Sequence, residues 1–207
     1  MTEDMELESK KQAIVKQAFE RFYEGGFHAT GIDSVMADSG ISKRTLYKYF
    51  PSKEDLIEAV LDYYGTVVTR ELFDPVMKGS GSACERIVAF FDLRKAMIDK
   101  DPVRGCLGMK AAQEYVGKHK GIAGHGRNAA RIVEQNFVKL CEETGFSKPN
   151  ELGRQLSILF QGAVLVSQVL GESSSFDLAK EAAKVLLDQA GRHRGSADRI
   201  QSGDPNP

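Results

Sequence analysis

The sequence predicts an all-α protein, with an N-terminal three-helix domain followed by a larger C-terminal helical bundle. Apolar residues recur every three to four positions over most of the 207 residues, which is the spacing that puts them on one face of an α-helix. Capping residues, glycines and prolines lie at the ends of these segments, where helices begin and stop. No stretch shows the alternation of apolar and polar residues that is typical of a strand.

Composition and charge limit the classes of protein that the sequence can encode. The hydrophobic fraction of 42% and the charged fraction of 28% are typical of a globular protein. The formal net charge is only −1, so any surface that attracts nucleic acid must be a local one. The three cysteines have no pairing or metal-ligand spacing, and no run is apolar enough to predict a signal peptide or a membrane span. We expect a cytoplasmic protein that needs no metal or cofactor and does not enter a membrane.

The first helix is predicted to begin only after a short acidic arm. Residues 1–8 contain four acids and few apolar side chains, a composition that favours a frayed, solvated terminus. Ser9 and Gln12 have the spacing of a capping box. The apolar stripe that follows ends at Gly25-Gly26, because glycine readily takes the left-handed conformation found beyond a helix end.

A helix-turn-helix unit is predicted directly after the first helix. Thr30 is placed to N-cap a first short helix, because its hydroxyl could accept a free backbone N–H, and Gly40 ends that helix. Ser42 is placed to cap a second short helix, in which Leu46 and Phe50 lie four residues apart on the inner face. A unit of this kind can insert its second helix into the major groove of DNA.

The outer surface of the second helix suits DNA. Lysine and arginine bind phosphates and guanine edges, threonine contacts base edges, and tyrosine hydroxyls bind phosphate oxygens. The predicted DNA-binding residues are Thr30, Ser42, Lys43, Arg44, Thr45, Tyr47, Lys48, Tyr49 and Lys53. The alternative is an ordinary surface helix that carries lysines. We favour DNA binding, because the turn glycine, the N-caps and the basic residues agree within one unit.

Residues 10–62 resemble the N-terminal domain of the TetR family of bacterial transcriptional repressors, above all in the run SKRTLYKYFPSKEDL that begins at Ser42. The resemblance implies an all-helical homodimer that binds a palindromic operator on double-stranded DNA and is released by a small-molecule effector. By position, it implies that residues 43–45 and Tyr49 face bases or nearby phosphates. Tyr47 and Lys53 would hold the DNA backbone. Relatives often carry histidine where this chain has Tyr49.

Composition and the predicted helices divide the whole chain into three parts. We predict a DNA-binding domain at residues 1–52, a helical domain for ligand binding and dimerisation at 53–191, and a disordered tail at 192–207. Residues 117–126 are rich in glycine and are predicted to form a loop that holds two solvated histidines. About nine helices result from these boundaries.

An apolar cavity for the effector is one interpretation of the aromatic residues and methionines of the bundle. The predicted ligand-binding residues are Phe90, Phe91, Met97, Cys106, Met109, Gln113, Phe137 and Phe160. The alternative, that these side chains are packed core, stays open. Cys106 follows Arg104 and Gly105 at a predicted helix N-terminus, where the helix dipole favours a thiolate. It is either a sensor of electrophiles or an inert buried thiol.

Two C-terminal helices are too apolar for the surface of a monomer. They run from Asn150 to Leu170 and from Ser175 to Gln189. The predicted dimer-interface residues are Leu156, Leu159, Val164, Leu178, Val185 and Leu186. Completing the core of a single chain is the alternative, but a two-fold dimer is what a palindromic site requires.

The sequence therefore favours a DNA-binding regulator over two other classes. The first alternative is a helical ligand-binding or protein-interaction module that keeps the fold without sequence-specific DNA binding, as the near-neutral charge would allow. The second is an enzyme, for which the sequence offers no phosphate loop, no Gly-x-Ser-x-Gly and no paired catalytic residues.

Overall fold

The computed structural model describes the backbone of residues 2–37, 39–100 and 105–201, and within these ranges the side chains of residues 8–192. In this part of the chain the residues form ten α-helices, one π-helical turn and no strand. The all-α class is thus confirmed. None of the helices described is both long and apolar enough to cross a membrane.

The helices follow one another with short connections. They are α1 (Thr2–Gly25), α2 (Ile32–Met36), α3 (Lys43–Tyr49), α4 (Lys53–Val68), α5 (Asp74–Met77), α6 (Ala83–Lys100), α7 (Leu107–Tyr115), α8 (Lys120–Thr144), α9 (Pro149–Leu170) and α10 (Ser174–Gln201). The π-helical turn Thr69–Phe73 connects α4 to α5. π-helical turns are rare and are often found at functional sites.

The first compact unit contains residues 1–69 and 106–129. Its core combines apolar side chains of α1, α2, α3, α4, α7 and the start of α8. Burying one large apolar side chain stabilises a fold by about 1.5–3 kcal/mol. Fully buried side chains of this core include Phe22, Phe27, Leu46, Leu56 and Ile57. The predicted functional boundary at residue 52 stays a prediction, but the core beneath it is assembled from two separate stretches of sequence.

The second compact unit contains residues 70–105 and 130–207. In it α6 and α9 pack against α10, around phenylalanines that include Phe90, Phe137 and Phe160. At Gly153 a Cβ atom would lie 2.6 Å from the Cα of Val138. Glycine is therefore needed where α9 crosses α8.

Both ends of the described chain are more helical than their composition predicted. Helix α1 begins at Thr2 rather than at Ser9, because residues 2–8 contain no glycine or proline and several strong helix formers. The prediction that this acidic stretch is frayed was therefore wrong. Helix α10 continues to Gln201, past the predicted start of a tail at 192, since no proline interrupts it. Residues 202–207 lie outside the described part of the chain.

The glycine-rich segment at 117–126 is not a loop throughout, because α8 begins at Lys120. A Cβ atom at Gly126 would lie 2.3 Å from the carbonyl oxygen of Gly108 and 2.4 Å from the Cβ of Ala112. Gly126 therefore allows α8 to approach α7 closely. The glycine at 126 thus reflects helix packing and not the predicted loop.

We expect Gly126→Ala to destabilise the protein by about 1–3 kcal/mol, because the added methyl group overlaps a backbone carbonyl that cannot move freely. Urea unfolding measures this change. The control is Gly65→Ala in α4, where a Cβ atom meets nothing within 4 Å, and there we expect a gain of about 0.5–1 kcal/mol. A Gly126→Ala protein as stable as the native one would contradict the close α7–α8 contact.

Candidate nucleic-acid interface

The turn between α2 and α3 is fixed by its backbone and by one serine. Gly40 has a φ of +66°, a left-handed conformation that glycine adopts without strain. Ser39 Oγ donates to the last carbonyl of α2 over 2.8 Å and accepts from Ile41 N over 3.0 Å. The predicted glycine turn is thus present, but α2 ends at Met36 and not at Gly40 as predicted.

Two serines cap the helices that follow, as predicted. Thr45 N donates to Ser42 Oγ over 3.1 Å at the start of α3. At the start of α4, Asp55 N donates to Ser52 Oγ over 3.1 Å and Ser52 N donates to Asp55 Oδ2 over 2.9 Å. Such caps stabilise a helix by about 0.5–2 kcal/mol each. The interface is therefore held in a defined shape without DNA.

Helix α3 is divided into a buried and an exposed face. Leu46 is 0% exposed and Phe50, which follows the helix, is 3% exposed, as predicted. The predicted contact residues that are exposed are Ser42, Lys43, Arg44, Tyr47 and Lys48, and those that are half-buried are Thr45, Tyr49 and Lys53. Eight of the nine predicted DNA-binding residues, Thr30 being the exception, are thus at least partly accessible.

Lys43 is paired within the helix-turn-helix. Its Nζ lies 2.6 Å from Asp33 Oδ1 on α2. The hydrogen bond to the Asp33 carboxylate, together with its charge, raises the pKa of Lys43. Both side chains are largely exposed, and a pair of this kind contributes little to stability because water and salt screen it. Lys43 can therefore exchange Asp33 for a phosphate at low cost.

Thr30 does not have the predicted role. The N-cap of α2 is Gly31, and Thr30 is 5% exposed, with its hydroxyl donating to the carbonyl of Arg21 over 3.3 Å. A Cβ atom at Gly25 would lie 2.4 Å from this hydroxyl, so Thr30 packs against the end of α1. The predicted cap was wrong, and the buried side chain has no free hydroxyl to offer DNA.

Lys53 lies at the first position of α4. Its Nζ donates to the carbonyl of His28 over 3.5 Å and lies 6.0 Å from the centre of the Phe22 ring. The ammonium group of this half-buried side chain thus lies against the segment that follows α1. Sequence reasoning missed the contact to His28, which is 25 residues away and leaves no local pattern.

The predicted ligand-binding residues do not form one group. Four of them form a single aromatic cluster, in which ring centres lie 4.9–6.0 Å apart. These are Phe90, Phe91, Phe137 and Phe160, all 3% exposed or less. Such mutual packing is that of a core, the alternative stated above. Cys106, Met109 and Gln113 belong to the first compact unit and Met97 to the second.

The three thiols differ in their surroundings. Cys141 is buried, and burial raises its pKa to about 12. Burial and the nearby carboxylate of Asp188 raise the pKa of Cys84. Cys106 is half-buried and is the N-cap residue of α7. Because thiolates and not thiols attack electrophiles, Cys84 and Cys141 are poor nucleophiles, and Cys106 is the candidate reactive thiol.

The predicted dimer residues lie on both sides of their helices. Leu156 and Val164 are 0% and 4% exposed and therefore belong to the core, while Leu159 and Leu186 are half-buried. Leu178 and Val185 are exposed as an interface requires, by 75% and 55%. Five further exposed apolar residues lie on α9 outside the predicted interface set: Ile158, Leu165, Val166, Val169 and Leu170. Apolar residues lie on most faces of α9, so helical spacing alone does not distinguish these residues from those of the core.

The two histidines of the glycine-rich segment each lie near one carboxylate on α4. His119 Nδ1 is 3.7 Å from Glu58 and His125 Nδ1 is 3.7 Å from Asp62. His119 Nδ1 also accepts from Ile122 N over 3.2 Å at the start of α8. Within the described residues no group of three or more such side chains converges as a metal site would need.

A capped, outward-facing basic helix set at a fixed angle on a helical core defines the class of helix-turn-helix DNA-binding proteins. The family model of bacterial regulatory proteins, tetR family, matches residues 14–60. The chain is therefore similar to the TetR family over its helix-turn-helix.

Individual relatives agree with this assignment. The uncharacterized HTH-type transcriptional regulator YxaF of Bacillus subtilis (strain 168) is 25% identical over 185 residues, which cover 87% of this chain and 96% of YxaF. The HTH-type transcriptional regulator RutR of Escherichia coli (strain K12) is 44% identical over 55 residues, 27% of this chain and 26% of RutR. A TetR transcriptional regulator from Chloroflexus aurantiacus has a similar fold, with a TM-score of 0.78 and 23% identity over 89% of this chain and 97% of that one.

The protein is thus a TetR-like transcriptional regulator with an N-terminal DNA-binding domain, and not an enzyme. The alternative of a helical module that keeps the fold without binding DNA is not favoured by these matches.

We expect the three cysteines to react with N-ethylmaleimide at different rates in the native protein. Cys106 should be modified first, Cys84 more slowly and Cys141 only after unfolding, since a raised pKa lowers the thiolate fraction. Mass spectrometry of peptides after short exposures measures the order. Denatured protein, in which all three should react alike, is the control. Native Cys141 reacting as fast as Cys106 would contradict this account.

Proposed function

We propose that the protein is a repressor that binds a palindromic operator as a homodimer, with α3 in the major groove of each half-site. The observation that carries this proposal is the division of α3, in which Leu46 is fully buried while Lys43, Arg44 and Lys48 are exposed. Cations therefore point outward from a helix whose inner face is held by the core. This is the arrangement that phosphate and base-edge contacts require.

The accessible residues of α3 would contact different parts of the DNA. Lys43 and Arg44 suit guanine edges or nearby phosphates, and Thr45 suits a base edge or a thymine methyl group. Tyr47 is 45% exposed, so its hydroxyl is available to a phosphate oxygen. Lys53 would bind a second phosphate from the start of α4, so that DNA is held on both sides of the α3 contacts.

Homodimerisation is supported by the apolar surface of α9 and α10. Val169 is 73% exposed, Ile158 71% and Leu178 75%, and the two helices pack against each other. Large apolar surfaces of this kind mark interfaces in globular proteins. Two such helices from each protomer would form a four-helix interface with two-fold symmetry. The same symmetry relates the two half-sites of a palindrome.

A small apolar or electrophilic effector would release the operator. The two α3 helices must match half-sites about 34–36 Å apart, so an effector that favours another separation weakens binding to DNA. Helix α4 begins at the proposed phosphate contact and continues through the π-helical turn into α5, which makes it the natural connection to the ligand-binding domain. Cys106 is the candidate target of an electrophile. Such a regulator acts in the bacterial cytoplasm, beside its operator.

We expect Leu178→Glu to convert the dimer into monomers, because a carboxylate in a dry interface is costly. The stability of the monomer should change little, since Leu178 is 75% exposed. Sedimentation equilibrium measures the mass. The control is Gln135→Glu, which adds the same carboxylate at an exposed position of α8. A dimer that persists in Leu178→Glu would contradict the proposed interface.

Log K falls as log salt rises, and we expect Lys53→Ala to make this fall less steep. The magnitude of the slope should decrease by about one for each protomer, since each loses one phosphate contact. Thr45→Ala should instead cost about 1–3 kcal/mol of discrimination at one base pair. Fluorescence anisotropy with a selected operator duplex measures both. Lys184→Ala on α10 is the matched lysine control and should leave the slope unchanged. Equal slopes for native protein and Lys53→Ala would contradict the phosphate contact.

A further inference from the structure

Helix α7 holds the segment between α1 and α2 through two charged side chains on one face. Lys110 Nζ donates to the carbonyl of Tyr23, in the last turn of α1, over 3.1 Å. The carboxylate of Glu114 accepts from Phe27 N over 3.1 Å and from His28 N over 2.7 Å. Lys110 and Glu114 are four residues apart, so one face of α7 presents both groups.

Each charge lies where the backbone favours it. The end of a helix carries partial negative charge on its free carbonyls, which a lysine complements. Two successive amides beyond that end both donate to one carboxylate, and hydrogen bonds to a charged acceptor are stronger than neutral ones. Gly26 has a φ of +76°, and a Cβ atom there would lie 3.2 Å from Glu114 Oε1. The glycine thus allows the carboxylate to approach.

The His28 side chain is held by the same helix. Its Nε2 lies 3.0 Å from the backbone carbonyl of Glu114, and in the tautomer with the proton on Nε2 it donates to that carbonyl. Lys118 Nζ is 3.3 Å from this nitrogen and cannot bond to it in that tautomer, because both are donors. The ring stacks on Tyr115, with centres 4.6 Å apart. His28 is therefore fixed through its N–H and its ring.

The backbone carbonyl of His28 connects the contacts of α7 to the proposed DNA-binding residue Lys53. The carbonyl of His28 accepts from Lys53 Nζ over 3.5 Å. Glu114 holds the N–H of His28, and the carbonyl of the same residue holds the lysine that we assign to a phosphate. The segment that Glu114 fixes also leads directly into α2.

We propose that Glu114 is a positioning residue for operator binding, which fixes His28 and through it the place of Lys53 and the start of α2. The inference rests on the phosphate contact proposed for Lys53. Glu114 itself need not contact DNA, so its loss acts through Lys53 and not through a contact of its own. The salt dependence of binding therefore reports on it.

The test uses full-length variants and a duplex that the native protein selects from a random pool. Glu114→Gln removes the charge and replaces one accepting oxygen by an NH2 group, a donor that faces a backbone N–H. It should weaken binding by roughly 2- to 30-fold, the range for residues that act on a site at a distance, and should lower the salt slope by about one, as Lys53→Ala does. In the double variant Glu114→Gln/Lys53→Ala the slope should fall no further. The control is Glu142→Gln, which removes the same charge at an exposed position of α8, with unchanged affinity and slope.

Each of the following results would decide whether Glu114 positions Lys53. A Glu114→Gln protein with the native affinity and slope overturns the inference, and so does a weaker affinity with the native slope, which is what lost stability alone would give. If Glu114→Gln folds poorly, Glu114→Asp, which keeps the carboxylate with a shorter reach, must show the lower slope, and the native slope in that variant overturns the inference. A native protein that enriches no duplex refutes the proposed operator binding and this inference with it, which distinguishes the two failures.

Discussion

The burial of Leu46 in the N-terminal core is the interaction on which the DNA-binding surface depends. Helix α3 has only seven residues, and an isolated helix of that length is unstable in water. Its position therefore comes from burying Leu46 and Phe50 and from the cap at Ser42. Once the inner face is fixed, helical geometry leaves Lys43, Arg44 and Lys48 at the surface. The packing of the core thus determines which side chains can reach DNA.

This core is not confined to the first helices of the chain. Residues 106–129 return to it after the segment 70–105, and the glycine at 126 lets α7 and α8 approach each other beneath it. The same α7 supplies Glu114 to the segment between α1 and α2. The family model covers residues 14–60, but the support of that domain includes residues from the middle of the sequence.

Features that depend on neighbours in sequence could be predicted, and features that depend on distant ones could not. The caps at Ser42 and Ser52 each involve a partner three residues away, so their pattern is visible in the sequence. The bonds from Phe27 and His28 to Glu114 span 86–87 residues and have no local pattern. Threonine is a residue type that often caps helices, but the hydroxyl of Thr30 donates to a carbonyl of α1 instead. Likewise, apolar character predicted an interface on α9, while only the structure distinguishes exposed Ile158 from buried Leu156.

The most direct test of this account is selection of bound duplexes from a random DNA pool by the purified protein, with Lys43→Ala/Thr45→Ala tested beside it. Two equivalent α3 helices in a two-fold dimer should enrich an inverted repeat whose half-site centres are about one helical turn, or a multiple of it, apart. The double variant should lose the repeat or enrich a degenerate one, because Lys43 is exposed and Thr45 is partly accessible at the start of α3. No enrichment by the native protein at low salt, or the same repeat from the variant, would contradict the assignment of α3 as the helix that recognises DNA.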